Sequence, residues 1–148
     1  MDIKGTLSID LLLATFMLLI VIGSTCELIM DRLDMVDESQ ELVEARTLAE
    51  NVAGAIDQVY AAGDGHMIKI KIPASIGKNR NYHVEVDSSG VLVDLRGRKG
   101  LAYIIPERIS KDINQLQSST ITLNPDEEYK IINKMDGNGD NWIVIYTA

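Results

Sequence analysis

The segment "DGNGDNW" near the end of the chain is the clearest candidate for metal chemistry. Asp136, Asn138 and Asp140 stand at alternate positions, as they would at the start of an EF-hand calcium loop. That loop also requires a glycine at position six and a bidentate glutamate at position twelve, where this chain has Asn141 and Thr147. The segment therefore predicts a glycine-rich hairpin turn rather than a calcium site.

Other residue types that support catalysis do not form a recognisable set. His66 and His83 have no Cys or His partner at metal-ligand spacing in the sequence. The sequence contains no nucleophile elbow and no glycine-rich phosphate loop. We therefore expect that the chain is not an enzyme and that it binds no cofactor.

Asp10 is the most unusual ionisable residue in the sequence, because it directly precedes a long apolar run. Leu11 to Cys26 contains sixteen residues without a charge, which corresponds to about 24 Å of α-helix. With Leu7 and Ile9 the run approaches the roughly 20 residues that cross a bilayer. A carboxylate at the bilayer centre costs on the order of 2.5 kcal/mol or more, and less near its edge. Asp10 therefore requires a functional reason.

The charge of the chain is concentrated in one segment. The 148 residues carry a formal net charge of -8. Residues 27–62 contain nine acids and two bases, whereas residues 63–148 contain eleven of each sign. Because neither part has a net basic charge, phosphate-driven binding of nucleic acid is not expected.

The acidic segment has the pattern of an amphipathic helix. Apolar residues recur mainly at gaps of three and four from residue 28 to residue 60, and acids fill the other positions. Gly63 and Gly65 in "AAGDG" provide the stop signal. We therefore predict one continuous helix from about Leu7 to Ala62, apolar to about Cys26 and acidic beyond it.

After Gly63 the apolar pattern changes to a period of two, which indicates β-strands. Seven segments are predicted as strands, namely "HMIKIKIP", "YHVEVD", "VLVDL", "LAYII", "STITL", "YKIIN" and "WIVIY". Turn residues separate them, as in "GKNRN", "DSSG", "RGRKG", "NPDEE" and "DGNGDN". The segment "PERISKDINQLQ" is predicted as a helical turn or a loop.

The predicted fold class is α+β, with a long N-terminal helix followed by a compact antiparallel sheet or small β-sandwich over residues 63–148. The apolar face of residues 48–60 is expected to cover this sheet. The acidic face is either solvated or paired with bases of neighbouring β-domains. Arg96, Arg98 and Lys99 in "RGRKG" are the candidate bases for such pairing.

The start of the chain, "KGTLSIDLLL", resembles the class III signal peptide of archaeal type IV pilin-like proteins. Lys4 and Gly5 match the basic residue and glycine of that pattern, and Ser8 matches its serine. Thr6 replaces the usual glutamine, and Asp10 replaces the usual glutamate while keeping its charge.

The resemblance implies that a prepilin peptidase cuts between Gly5 and Thr6, so that residues 1–5 are a leader and residues 6–62 are the helix. It implies a pilin that is held in the membrane before assembly and then joins other copies in an extracellular surface filament. The further partners that it implies are a pilus assembly ATPase and its membrane platform. The new amino group of Thr6 would then have Asp10 of a neighbouring subunit as its candidate partner in assembly.

Two other functions are compatible with the same sequence features. The chain could be a single-span membrane protein with an extracellular β-domain that binds a ligand or partner. It could also be a secreted enzyme with a cleaved leader, because small residues at Gly23 to Thr25 follow the apolar run. The enzyme hypothesis is the weakest, since the sequence offers no catalytic set for it.

Overall fold

The computed structural model describes residues 3–105 and 108–148, with side chains described for residues 9–105 and 108–148. A single long helix, α1 (Ile3–Ala62), is followed by two small β-sheets. The α+β fold class predicted from the sequence is therefore confirmed. By its contacts the chain divides into two compact units, one ending at Ser39 and the other formed by Gln40–Ala148.

Within residues 3–105 and 108–148, eight strands form the two sheets. They are β1 (Met67–Lys71), β2 (His83–Asp87), β3 (Gly90–Leu95), β4 (Arg98–Tyr103), β5 (Ile109–Ser110), β6 (Ile121–Leu123), β7 (Glu128–Met135) and β8 (Asn141–Thr147). The first sheet has the order β1-β7-β8-β5, and the second has the order β4-β3-β2-β6. All pairings are antiparallel except β5 with β8.

The seven predicted strands are all present, and two details of the prediction were wrong. The two-residue strand β5 lies inside the segment predicted as a helical turn or loop. The segment "RGRKG" is a turn only at Arg96 and Gly97, which have positive φ angles of 55° and 86°. Strand β4 then begins at Arg98, because the hairpin from β3 closes within two residues.

One hydrophobic core joins the C-terminal part of α1 to both sheets, and it lies within residues 40–148. The helix contributes six buried side chains at helical spacing, Ala45, Ala49, Val52, Ala53, Ile56 and Val59. The predicted covering of the sheet by residues 48–60 is confirmed, and the buried face extends back to Ala45. From residue 9 to residue 40, by contrast, every residue of the helix is exposed.

The end of α1 is fixed to strand β7 by the side chain of Asn133. This side chain is fully buried, and its Nδ2 donates to the carbonyl oxygen of Tyr60 at 3.2 Å and to that of Val59 at 3.5 Å. The last carbonyls of a helix have no partner within the helix, so a side-chain donor satisfies them. Next to this contact, the backbone N–H of Gly65 donates to the carbonyl of Asn133 at 2.8 Å.

Replacing Asn133 with alanine should lower the free energy of unfolding by about 1–3 kcal/mol, because buried helix-end carbonyls lose their donor. The measurement is urea denaturation of residues 40–148, followed by circular dichroism. Asn114→Ala is the matched control, since Asn114 is exposed. Equal midpoints for the two variants would contradict this role of Asn133.

Tyr82 anchors the connection between β1 and β2. Its ring is buried, and its hydroxyl donates to the carbonyl oxygen of Pro73. Burial, and secondarily the nearby negative charge of Asp126, raises the pKa of Tyr82 from 10.0 to about 12. The protonated phenol is therefore favoured in the folded chain relative to the unfolded chain.

This shift predicts a pH-dependent loss of stability at high pH. The stabilisation from Tyr82 is fully present below its unfolded pKa of 10.0 and is lost as the pH rises through about 12. Denaturation midpoints of residues 40–148 should therefore fall between these pH values, and less steeply in Tyr82→Phe. Tyr103→Phe, which alters an exposed ring, should keep the wild-type slope. An unchanged slope in Tyr82→Phe would refute the assignment.

Candidate assembly surface

Asp10 is the only charged residue among the eighteen residues from Ile9 to Cys26, and it is exposed on α1. The large apolar side chains of this segment are exposed as well, among them Leu11 and Leu12 at 71% each and Phe16 at 60%. Such a continuous apolar surface is unfavourable in water, so it calls for lipid or protein around it.

The hydroxyl groups in this segment are satisfied by the helix itself. Thr15 donates to the carbonyl of Leu11 at 2.7 Å. Ser24 and Thr25 donate in the same way to carbonyls four residues earlier, at 2.8 Å and 2.7 Å. Because these polar groups need no water, the helix surface suits an apolar environment.

By length and composition, α1 could cross a membrane. The most apolar window of the helix lies near the N-terminus, and none of it is buried by the described part of the chain. A membrane anchor and a signal sequence share these properties. A place for this segment in a membrane or a helix bundle is therefore compatible with the structure.

The predicted cleavage residues lie at the very start of the helix. The backbone of Lys4, Gly5, Thr6 and Ser8 belongs to α1. Their side chains lie outside the described residues. The predicted partnership of Thr6 with Asp10 of a second copy therefore stays a prediction.

Two acids of the acidic helix segment make contacts within the same chain. Glu41 lies 3.4 Å from Arg98 at the start of β4, and both side chains are partly buried. Glu44 accepts a hydrogen bond from the backbone N–H of Gly77 at 2.7 Å. These two carboxylates hold α1 against the start of β4 and against the loop that contains Gly77. The contact of Glu41 with Arg98 lies within one chain, whereas the predicted pairing of the acidic face with "RGRKG" of a neighbouring β-domain stays a prediction.

The "DGNGDNW" segment forms the turn between β7 and β8. The Asp136 carboxylate accepts backbone N–H groups of Asn138 and Asp140 at 2.8 Å and 2.9 Å, and the indole N–H of Trp142 at 3.2 Å. These bonds, led by the one from Asp140, lower the pKa of Asp136. Asp140 pairs with Arg108. Among the described residues, no group of carboxylate, histidine or cysteine side chains could hold a metal ion.

A groove lies between α1 and the edge strand β1. Its volume is about 460 Å³, and its apolar lining comes from Leu48, Val52, Ile70 and Pro73. Thr47, Asn51 and Lys71 add polar groups. This groove could not be predicted from the sequence, because it depends on how the helix packs beside β1.

No protein-family model, no curated protein and no solved structure matches this chain. Its function is therefore inferred from its own residues and their placement in the fold.

Proposed function

We propose that the chain is a structural subunit of an archaeal type IV pilus-like filament on the cell surface. A prepilin peptidase cuts between Gly5 and Thr6, and the apolar helix holds the precursor in the membrane. The mature helix then packs against helices of other copies, and the β-domains form the outer surface of the filament. A pilus assembly ATPase and its membrane platform drive this transfer.

The proposal is supported mainly by the exposure of the first part of α1, which the rest of the described chain does not cover. All residues from Ile9 to Gln40 are exposed, although many are apolar. The helix runs on without interruption into a domain that buries it only from Ala45. Moving such a helix from lipid into a bundle of like helices loses little apolar burial, since both surroundings are apolar.

Asp10 supports the proposal because it needs a partner of opposite charge. Cleavage after Gly5 creates an α-amino group on Thr6, whose usual pKa of about 8 leaves it positively charged at neutral pH. An ion pair in an apolar bundle is favourable only when both charges are present. Asp10 of one copy and the amino group of the next copy would then set the helix register between subunits.

The test is electron microscopy of filaments sheared from cells that produce the full chain, followed by peptide mapping of the purified filaments. The proposal expects filaments whose peptides cover residues 6–148. Filaments that lack these peptides, with the chain found only in membranes, would contradict the proposal.

The second candidate is a membrane-anchored protein whose extracellular β-domain binds a ligand or partner. The groove between α1 and β1 favours it, since its volume of about 460 Å³ lies within the usual range for small-molecule sites. The same microscopy separates the two functions, because an anchored receptor would remain in the membrane without forming filaments.

A further inference from the structure

A row of basic and aromatic side chains crosses the outer face of the first sheet. Lys69 on β1 is directly opposite Lys130 on β7, and Lys130 is directly opposite Tyr146 on β8. The neighbouring residues Tyr129 and Ile131 are buried, so Lys130 lies on the face turned away from the core. The Nζ atom of Lys130 lies 5.8 Å from the centre of the Tyr146 ring.

The two lysines are placed where their charges repel most. On either side of β1, the N–H of Asn133 donates to the carbonyl of His66 and the N–H of Ile72 donates to the carbonyl of Glu127, both at 3.0 Å. By alternation, Lys69 and Lys130 form a pair without hydrogen bonds, in which side chains come closest. Like charges directly opposite each other destabilise a sheet. An anionic partner that contacts both lysines would offset this repulsion, because each lysine would be attracted to the negative charge.

The residues beside the row indicate further chemical properties of that partner. Beside it lies an apolar pair, Met67 and Ile132, which are directly opposite each other, and Met67 is 44% exposed. The partner should therefore combine negative charge with apolar side chains. On the other side, Lys71 is paired with Asp126 at 3.6 Å, which limits the basic surface in that direction.

The exposed part of α1 has these two properties. Five acids follow one another at gaps of four and three residues, which places them on one stripe of the helix. They are Glu27, Asp31, Asp34, Glu38 and Glu41. Met30, which is 67% exposed, borders the stripe because it lies three residues after Glu27 and four before Asp34. At the end of the stripe, Glu41 already binds a base of the β-domain, Arg98.

We propose that the row of Lys69, Lys130 and Tyr146 is a docking surface for the acidic stripe of α1 in a second copy of this chain. The lysines bind Glu27, Asp31 and Asp34 of that copy, and Met67 contacts its Met30. The inference rests on the proposed function, since it takes the occupant to be another filament subunit. It adds a second subunit contact outside the apolar bundle.

The observations favour a second copy over nucleic acid. Asp126 and Glu128 lie at the end of the same strands, with Glu128 directly opposite Lys71. Their charges would repel a phosphate backbone that continued along the sheet. The short acidic stripe does not have to extend past these two acids, because only a few carboxylates need to contact the two lysines.

Carbodiimide treatment of the full chain in cell-surface filaments and in membranes tests the contact, because it couples carboxylates to lysine amines that touch. The expected product is a dimer in which Lys69 or Lys130 is joined to Glu27, Asp31 or Asp34. The exposed Lys111 serves as the internal control and should not be joined to these acids. A dimer joined through Lys99 instead, or no dimer, would overturn the inference.

A pair of double variants tests the role of the charge. Lys69→Gln with Lys130→Gln should reduce about tenfold the amount of untagged chain that copurifies with a tagged copy from solubilised membranes, since the attraction between copies is lost. Copurification is the readout because this variant also lacks the amines that carbodiimide couples. The unfolding midpoint of the same variant should be unchanged or higher, because the repulsion is also removed. Arg80→Gln with Lys111→Gln makes the same charge change at exposed positions and should leave this copurification unchanged.

The outcomes separate this inference from the proposed function. Filaments that lack the lysine–carboxylate links overturn the docking contact and leave the pilin proposal in place. Links found in membranes of cells that form no filaments support the contact and contradict the pilin proposal. Binding of short duplex DNA that is lost in the lysine variant, with copurification of the second copy unaffected, would overturn the choice of a second copy as occupant.

Discussion

Replacing Asp10 with alanine is expected to abolish filaments while leaving cleavage of the leader intact. The peptidase acts at Gly5 and Thr6, so loss of a carboxylate farther along the helix should not prevent the cut. In the assembled bundle, however, the amino group of Thr6 would remain without its partner. An unpaired charge in an apolar interior costs several kcal/mol, which is enough to prevent assembly of many subunits.

The readouts are the mass of the processed chain in membranes and the number of filaments in electron micrographs. Asp10→Glu is the matched control, because it keeps the carboxylate and lengthens the side chain by one methylene. It should retain filaments. Normal filaments from Asp10→Ala would refute the pairing role, and uncleaved Asp10→Ala would place Asp10 in peptidase recognition instead.

The second large effect is expected at Gly100, where strand β4 meets α1 without an intervening side chain. A Cβ atom at this position would lie 2.7 Å from the backbone nitrogen of Arg46 and 2.8 Å from the backbone carbon of Ala45. Backbone atoms of a packed helix cannot move aside as a flexible side chain can. Gly100→Ala should therefore lower the free energy of unfolding by about 3 kcal/mol.

Gly137→Ala provides the control for this effect, because a Cβ atom there would meet no atom within 4 Å. It should stay within about 0.5 kcal/mol of wild type, as surface substitutions usually do. Urea denaturation of residues 40–148 measures both variants. Equal stability of the two would mean that α1 does not pack on β4 as closely as the structure has it.

Much of the fold follows from hydrophobic periodicity alone. The change from gaps of three and four to a gap of two at Gly63 predicted the end of α1 and seven strands. Strand β5 could not be predicted, since two residues are too few to show a period. Its pairing is with β8, more than 30 residues later in the sequence.

Of the candidate sites, one could be predicted from the sequence and the other could not. Asp10 stands out in the sequence because a single charge interrupts an apolar run. The pair Lys69 and Lys130 does not, because 60 residues separate the two lysines and only the register of β1 on β7 joins them. The residue at which α1 becomes buried, Ala45, could not be predicted from the sequence either. The apolar pattern continues on both sides of it, although only the later part contacts the core.

The mass of the intact native chain, extracted from cells that produce it, tests the central claim most directly. The proposed function predicts a chain that begins at Thr6, with Asp10 as its fifth residue. Such a chain keeps the apolar helix and has lost only Met1 to Gly5. A native chain that begins at Met1 or Asp2, or one cut after the apolar run near Cys26, would contradict the assignment as a pilin-like subunit.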